Sequence, residues 1–357
     1  DENNISFSLV GLLAIADPPR LDSKDMIAEI RSLGIKCLML TGDSISIAKE
    51  IARQVGIGDH INLVNDLKGL TSQEQVKLIE RSDGFAEVYP EDKYYIVTLL
   101  QASGHAVGMT GDGVNDAPAL KQAELGTAVS EATDVAKASA SIVLTQPGLR
   151  EIVDAVKISR KTYQRMLTWV LNKITKVVEV IILFTVGFFW LHDVVISLLG
   201  MSLLVFANDF ATMSIATDNV KSTSSPNKWE IKNITLASLV LGMFFALGDL
   251  LIMYIGQKYF KLEFDRLQTL VMLCLVFNSQ FRILLVRERR HFWSSTPNKS
   301  LILVNILVIV GFSLLGIIGI FMPNLPLNQV LMILGITMAY MICIDFIKYP
   351  VFRLFRV

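Results

Sequence analysis

Hydrophobic and polar residues change their pattern once along this chain, near residue 165. Before that point, short apolar runs of strand length alternate with amphipathic segments of helix length over residues 5–148. After it, six long apolar stretches follow one another. Alternating strands and helices are typical of an α/β domain, whereas apolar stretches of about 20 residues can cross a bilayer. The pattern therefore predicts an α/β domain followed by a bundle of membrane helices.

The predicted strands and helices of the first part are bounded by residues that favour turns and helix ends. Asp22 stands at a helix-capping position, Thr71 and Glu74 have the spacing of a capping box, and Pro90 suits the first turn of a helix. Apolar strands that alternate with helices predict a parallel sheet covered on both faces. The predicted strands are residues 7–16, 35–40, 105–109, 125–129 and 141–145, and the predicted helices are residues 23–33, 44–55 and 90–102.

The apolar stretches of the second part each approach the length that a bilayer requires, about 20 residues. We therefore divide the chain into an α/β domain at 1–149, a linking helix at 150–166 and a transmembrane domain at 167–357. The six spans are predicted near residues 167–190, 194–216, 234–257, 267–286, 300–321 and 328–347.

Basic residues between the spans lie mostly on one side of the predicted membrane. They precede the first span and follow the second, the fourth and the sixth. By the positive-inside rule this side is cytoplasmic, and it carries the α/β domain and the C-terminus. These residues are Lys157, Arg160, Lys161, Arg165, Lys221, Lys228, Lys232, Arg287, Arg289, Arg290, Lys299, Lys348, Arg353 and Arg356.

Composition supports a membrane protein and argues against one class of partner. Apolar residues make up 52% of the chain and the mean hydropathy is +0.50. The 33 basic and 33 acidic residues cancel, which does not favour binding to nucleic acid. The three cysteine residues have neither metal-ligand nor disulfide spacing. Because the chain starts at Asp1 with no methionine or signal peptide, we expect one piece of a larger protein.

Residues 110–118, with the sequence Thr-Gly-Asp-Gly-Val-Asn-Asp-Ala-Pro, carry the most specific chemical signal. They follow a predicted strand and combine the carboxylates of Asp112 and Asp116 with the amide of Asn115 and two glycines. Glycine lets the backbone approach a ligand closely, and Mg²⁺ is usually held by one or two carboxylates together with phosphate oxygens. The stretch therefore predicts a phosphate and Mg²⁺ site at the carboxyl end of the sheet.

Two further segments carry polar groups suited to phosphate chemistry. Thr41, Gly42 and Asp43 follow the strand predicted at 35–40, and Lys93 lies in the helix that begins at Pro90. If the strands are parallel neighbours, these segments meet residues 110–118 at one edge of the sheet. A threonine hydroxyl can donate to a phosphoryl oxygen, and a lysine ammonium can neutralise phosphoryl charge. No GxxxxGK[ST] loop occurs, so a P-loop ATPase is not indicated.

These motifs resemble those of P-type cation-transporting ATPases, whose phosphorylation domain has the haloacid dehalogenase-like, Rossmann-like α/β fold. The resemblance runs from about residue 5 to the end. Within that family the chain is most similar to plasma-membrane proton pumps, because of residues 206–209 (Phe-Ala-Asn-Asp) and 217–220 (Thr-Asp-Asn-Val). The other matching segments are residues 17–20 (Asp-Pro-Pro-Arg), 41–43, 90–93 (Pro-Glu-Asp-Lys) and 110–118.

The resemblance implies roles for residues at the phosphate site. It implies that Asp112 is a Mg²⁺ ligand. Asp116 can hold the same ion directly or through water. It also implies that Lys93 and Thr41 contact the phosphoryl group, with Asn115 beside them.

The resemblance also implies that ATP is the nucleotide. The segment that contains Asp17 and Arg20 would be the hinge that returns from a nucleotide-binding domain. Gly42 and Asp43 would lie near the nucleotide or the phosphorylated residue.

One essential part of the family's site is not found in this sequence. The family's nucleophile is an aspartate in a DKTGT sequence, which does not occur here. The family also places the nucleotide-binding domain, the actuator domain and four membrane helices before the segment that matches this chain. We therefore expect an α/β domain without its central strand, completed by an N-terminal part in the same full-length protein or in a second polypeptide.

Two acidic residues near the middle of predicted spans are candidate ion carriers. They are Asp209, which follows Asn208, and Glu179. In the resembling proton pumps the aspartate that matches Asp209 carries the proton. The best-known proton pumps have an arginine at about the place of Glu179, whereas calcium pumps have a glutamate. Two carboxylates and Asn208 could instead coordinate a metal cation.

Neighbouring residues lead to further expectations about the spans. Lys176 lies three residues before Glu179 and could pair with it. Asp345 lies near the end of the last predicted span and is expected at the membrane interface. Asp249 falls inside the third predicted span.

The leading hypothesis is the C-terminal portion of an ATP-driven P-type pump that exports protons across the plasma membrane through an aspartyl-phosphate cycle. A pump for Ca²⁺ or another metal cation is the first alternative. A non-catalytic membrane partner or scaffold is an alternative of another class, and a membrane-tethered phosphatase is a third.

Overall fold

The computed structural model describes residues 10–11 and 18–357. Asp17 and nearly all of the strand predicted at 7–16 lie outside the described residues. The chain divides into two compact units. The first comprises residues 1–157 with 224–226, and the second comprises residues 158–223 with 227–357.

The first unit contains two parallel sheets of three strands each. In one sheet the order is β1 (Met39–Leu40), β3 (Gly84–Ala86), β2 (Ile61–Leu63), and in the other it is β4 (Gly108–Gly111), β5 (Leu125–Ala128), β6 (Ile142–Val143). Parallel pairing is therefore confirmed. No described strand joins β1 to β4, so each remains the terminal strand of its sheet.

The helices of the first unit begin and end close to the predicted positions. In the capping box of α3, Glu74 Oε2 accepts the backbone N–H of Thr71 at 2.9 Å and its hydroxyl at 2.7 Å. Gly56, with φ of 73°, ends α2 in the left-handed conformation that favours glycine. The helices are α1 (Ser23–Ser32), α2 (Ile45–Val55), α3 (Ser72–Arg81), α4 (Pro90–Ala102), α5 (Ala117–Gln122) and α6 (Asp134–Ser139).

Strand β3 lies between its two neighbours so closely that one position excludes a side chain. Gly84 pairs with Met39 on one side and with Ile61 on the other. A Cβ atom at Gly84 would lie 2.6 Å from the carbonyl oxygen of Met39. The sequence analysis missed β2 and β3 because each has only three residues, too few to show a periodic pattern.

Six long helices account for the second unit and the segment that leads into it. They are α7 (Arg150–Leu191), α8 (Leu198–Ser214), α9 (Ile231–Lys258), α10 (Phe264–Val286), α11 (Lys299–Ile318) and α12 (Leu327–Leu354). All six are long and apolar enough to cross a membrane, which confirms the predicted number of spans. Helix α10 packs against α8, α9, α11 and α12, and most of its side chains are buried.

Two helices differ most from the predicted division of the chain. The linking helix at 150–166 and the first span form the single helix α7. Helix α12 continues to Leu354, seven residues beyond the predicted end, with Pro350 inside it. The predicted span ends at residue 347, just before the basic residue Lys348, which is completely buried in the structure.

Candidate functional site

The loop after β4 is built around the carboxylate of Asp116. A short 3₁₀ turn, Val114–Asp116, follows the strand and leads into α5. Asp116 is 6% exposed, and its Oδ2 accepts the backbone N–H groups of Asp112 at 3.2 Å and Gly113 at 3.4 Å. Its Oδ1 accepts the Lys93 ammonium at 2.7 Å. Both oxygens of Asp116 are thus engaged, so this carboxylate orients the loop and the lysine together.

Position 111 must lack a side chain for this arrangement to form. A Cβ atom at Gly111 would lie 2.5 Å from the Cβ of Asp116. The buried Asp116 has no room to retreat, because it is tied to the backbone of the loop and to Lys93. The first glycine of the loop therefore permits the close packing that fixes the site.

Asp112 differs from Asp116 in that its side chain is exposed. Its backbone carbonyl accepts the N–H of Thr133 at 2.8 Å. Its carboxylate has no hydrogen-bond or ion-pair partner anywhere in the described chain. Asn115 is also exposed. The end of β4 thus presents a free carboxylate and a free amide beside a lysine that is already held in place.

Residues 41–43 form a second polar loop at the end of β1. The Thr41 hydroxyl donates to Asp43 Oδ2 at 2.7 Å, and the backbone N–H of Asp43 donates to Thr41 Oγ1 at 3.2 Å. The backbone N–H of Val88 donates to the carbonyl of Thr41 at 3.0 Å, and that of Glu87 donates to the carbonyl of Asp43 at 3.0 Å. The loop is therefore tied to the chain that follows β3, while Gly42 remains exposed.

The predicted site residues fall into separate groups in this structure. Lys93 and Asp116 are joined directly, whereas no hydrogen bond or ion pair among the described residues connects either of them to Thr41 or Asp43. Arg20 donates to Glu131 at 2.5 Å.

The groups at the end of β4 fit Mg²⁺, although the protein alone does not supply a full set of ligands. The described residues contain no group of three His, Cys, Asp or Glu side chains placed to hold a metal ion. Mg²⁺ usually keeps several waters and binds one or two carboxylates plus phosphate oxygens. The exposed carboxylate of Asp112 meets that requirement. Asp116 already accepts three hydrogen bonds, which leaves it less available as a direct ligand.

Glu124 fixes the approach of the chain to β4. Its Oε2 accepts the backbone N–H of Val107 at 2.9 Å. This hydrogen bond, with a smaller contribution from Gln101, holds the pKa of Glu124 below its ordinary value of 4.5. The ionised form of this exposed side chain therefore favours the position in which β4 pairs with β5.

In the membrane helices, the partner of Glu179 is an arginine that the sequence analysis did not single out. Arg282 on α10 donates from Nη1 to Glu179 Oε2, and each side chain is only 1% exposed. Its Nε donates to Asn172 Oδ1 at 2.9 Å. Among the described residues, the ion-pair partner of Glu179 is Arg282, and Lys176 forms no ion pair with it. The position of Arg282 within the apolar stretch 267–286 is the sequence feature that could have identified it as the partner of a buried carboxylate.

Asp209 and Asn208 lie on α8 in different surroundings. The side chain of Asp209 is 62% exposed, and its Oδ1 lies 3.7 Å from Lys173 Nζ. Asn208 is buried and donates to the carbonyl of Leu204 in its own helix at 2.8 Å. No hydrogen bond among the described residues joins Asp209 or Asn208 to Glu179. The predicted ion residues are thus not joined to one another by hydrogen bonds in the described chain.

Asp345, the acidic residue expected at the membrane interface, lies among polar partners. Asp345 is fully buried and accepts the Lys348 ammonium at 2.7 Å and the backbone N–H of Phe292 at 3.1 Å. Its Oδ2 lies 2.8 Å from His291 Nδ1. Helix α12 continues well past Asp345, so the residue is enclosed by protein.

Comparisons with known proteins agree for both parts of the chain. Residues 2–124 match the haloacid dehalogenase-like hydrolase family. A Methanocaldococcus jannaschii protein, whose name assigns it to the cation-transporting ATPases, is 37% identical over 97% of this chain. Plasma membrane ATPases of Kluyveromyces lactis and Saccharomyces cerevisiae are 35% and 36% identical over 87% and 82% of this chain. The chain spans only 44%, 36% and 33% of the lengths of these three relatives.

Proposed function

We propose that this chain, a homologue of the P-type cation-transporting ATPases, is the C-terminal portion of an ATP-driven pump that exports protons. The observation that carries the proposal is that similarity to a cation-transporting ATPase runs through 97% of the chain. It therefore includes both the haloacid dehalogenase-like unit and the six apolar helices. The phosphorylated aspartate and the nucleotide-binding domain would lie in a part of the pump outside this chain.

The α/β unit would provide the phosphate end of the catalytic site. Asp112 would hold Mg²⁺, and the bound ion would supply positive charge to the phosphate oxygens. Lys93 adds a second positive charge, and Asp116 orients its ammonium through the 2.7 Å contact. The Thr41 hydroxyl would donate to a phosphoryl oxygen. Fixed charges of this kind are the main device by which proteins stabilise phosphoryl transfer.

The remaining candidate residues would lie on the nucleotide side of the same site. We assign Gly42 and Asp43 to the surroundings of ATP or of the phosphorylated residue, because their loop follows the carboxyl end of β1 as the loop of Asp112 follows that of β4. Arg20, with Asp17 before it, would form the hinge from the nucleotide-binding domain. Asn115 would assist at the end of β4.

The surroundings of Glu179 favour protons over a divalent metal cation as the transported ion. Arg282 is buried beside Glu179 and brings a permanent positive charge to it. A Ca²⁺ ion bound to Glu179 would be repelled by this guanidinium. Asp209, with Asn208 beside it, would be the principal proton carrier, and its Oδ1 lies 3.7 Å from Lys173 Nζ.

Membrane location and orientation follow from the same proposal. The six helices make this a multi-pass membrane protein, and the plasma membrane is the membrane named for the two yeast relatives. By the positive-inside rule, the basic residues between the helices support a cytoplasmic position for the α/β unit and the C-terminus.

Transport by the full-length pump in sealed vesicles tests this function. We expect ATP-dependent acidification that requires Mg²⁺ and is lost in Asp112→Ala and in Asp209→Asn. Asp25→Asn, an exposed acidic residue on α1, is the matched control and should retain transport. Hydrolysis stimulated by Ca²⁺ and abolished in Glu179→Gln would reject proton specificity. Undiminished Mg²⁺-dependent turnover in Asp112→Ala would reject the assigned phosphate site.

A further inference from the structure

A second acidic side chain lies beside Glu179 inside the membrane helices. Asp249 on α9 is 1% exposed, as is Glu179 on α7. Their partners on α10, Arg282 for Glu179 and Asn278 for Asp249, are four residues apart on one face of that helix, which brings the two carboxyl groups to the same part of the bundle. Two buried carboxyl groups that lie close together cannot both remain ionised without strong repulsion, so their partners decide their charge.

Each carboxyl group has one oxygen with protein donors and one without. Glu179 Oε2 accepts from Arg282, and Asp249 Oδ1 accepts from Asn278 at 2.5 Å and from the Cys274 thiol at 3.1 Å. Glu179 Oε1 and Asp249 Oδ2 are completely buried, and no donor in the described part of the chain reaches them. Buried polar atoms are rarely left without a hydrogen bond, so these two oxygens call for an additional hydrogen.

The charges of the cluster also leave one carboxyl group without compensation. Arg282 is the positive partner of Glu179, and it donates its Nε to the neutral amide of Asn172. Asn278 and Cys274, the partners of Asp249, carry no positive charge. A second ionised carboxylate in this position would be a buried, unpaired charge. A proton on one of the two carboxyl groups removes that charge.

We propose that Glu179 and Asp249 together bind one proton, shared between Glu179 Oε1 and Asp249 Oδ2, inside the membrane bundle. The protonated oxygen donates to the other, so a single hydrogen satisfies both unpartnered atoms. This proton site is distinct from Asp209, which is on α8 and exposed. A role for this proton in transport rests on the proposed function, whereas its presence does not.

The groups around the pair favour a proton over a metal cation. Arg282 on α10 and Lys176 on α7 both bring positive charge to Glu179. Cys274 already donates to Asp249 Oδ1. Tyr340, from α12, donates its hydroxyl to the carbonyl of Phe244 at 2.7 Å and so is not a donor to Asp249. A metal ion would meet the repulsion of two nearby cations, whereas a proton needs no more than the two unpartnered carboxyl oxygens.

Infrared spectroscopy of the full-length protein in lipid nanodiscs tests the proton directly. At neutral pH and without ATP, we expect a protonated-carboxyl C=O band that shifts in D₂O. The same component should be lost in Asp249→Asn and in Glu179→Gln, because the new amide donates to the remaining carboxylate. Asp265→Asn, at the exposed start of α10, is the control and should keep the band.

Several outcomes would overturn the shared proton. They are the absence of a protonated-carboxyl band in the unmodified protein, its retention in both variants, or its loss on addition of Na⁺ or Ca²⁺. Circular dichroism and size-exclusion profiles select variants that are folded, and a variant that fails is replaced by Glu179→Asp, which should keep a shifted band. The spectra need no ATP. A protein that shows the band but does not transport protons would therefore refute the proposed pump function and leave the shared proton standing.

Discussion

Replacing Arg282 by methionine should destabilise the membrane helices strongly, because the change leaves a carboxylate without its partner. Both Arg282 and Glu179 are 1% exposed, and Arg282 also donates to Asn172 and lies with its guanidinium carbon 5.5 Å from the centre of the Phe245 ring. Methionine fills part of the space but supplies no donor. Removing one member of a buried ion pair costs about 3–5 kcal/mol, so we expect a loss of this size in Arg282→Met.

A double substitution separates the ion pair from the packing. Glu179→Gln together with Arg282→Met removes both charges, and replacing a buried ion pair as a whole is often close to neutral. The double variant should therefore be less destabilised than the sum of the single variants, by up to about 3 kcal/mol. Arg290→Met, an exposed arginine beyond the end of α10, is the control and should change stability little.

The measurement is the free energy of unfolding of the full-length protein in detergent micelles, followed by circular dichroism as a denaturing detergent is added. A cost for Arg282→Met no larger than that of Arg290→Met would refute the reasoning. Strict additivity of the two single variants would refute it as well, because it would mean that the buried charges do not interact.

Three further predictions concern the α/β unit of the full-length pump. Lys93→Met should reduce ATP turnover by at least about 100-fold because it removes a charge held beside the phosphate, whereas Lys93→Arg should restore part of the turnover; equal turnover in both would contradict this. Gly111→Ala should lower the melting temperature and turnover together, since its Cβ would collide with Asp116; an unchanged melting curve would count against the tight packing. The depressed pKa of Glu124 stabilises the fold above its ordinary value of 4.5, and this stability is lost as pH falls below it; Glu124→Gln should flatten the acid limb of a melting-temperature profile, and an identical limb would exclude the effect.

Local sequence patterns predicted the elements of this fold better than the contacts between them. The apolar stretches gave six spans and the turn residues gave most helix ends, because both depend on neighbouring residues. Parallel pairing followed from the alternation of strands and helices. The three-residue strands β2 and β3 were missed because their boundaries depend on pairing with distant segments.

The candidate sites, too, were predicted where their residues are close in sequence and missed where only folding brings the residues together. The loop at 110–118 was recognised because its chemistry lies within nine consecutive residues. The pairing of Glu179 with Arg282 joins residues 103 positions apart, and only helix packing brings them together. The sequence analysis treated a missing arginine on α7 as evidence against protons. The structure supplies an arginine to Glu179 from α10, so the absence of an arginine on α7 does not leave this carboxylate without one.

The fixed charge of Arg282 also limits what the buried pair can do. With one shared proton, the two carboxyl groups and Arg282 sum to zero charge, which suits a site enclosed by apolar helices. Loss of the proton would leave one negative charge there, at a cost of several kcal/mol unless a cation approaches. Lys176, half-buried on the same helix as Glu179, is one cation able to do so. We infer that proton release from this pair requires movement of Lys176 or entry of water, and that a rigid, dry bundle would keep the proton in place.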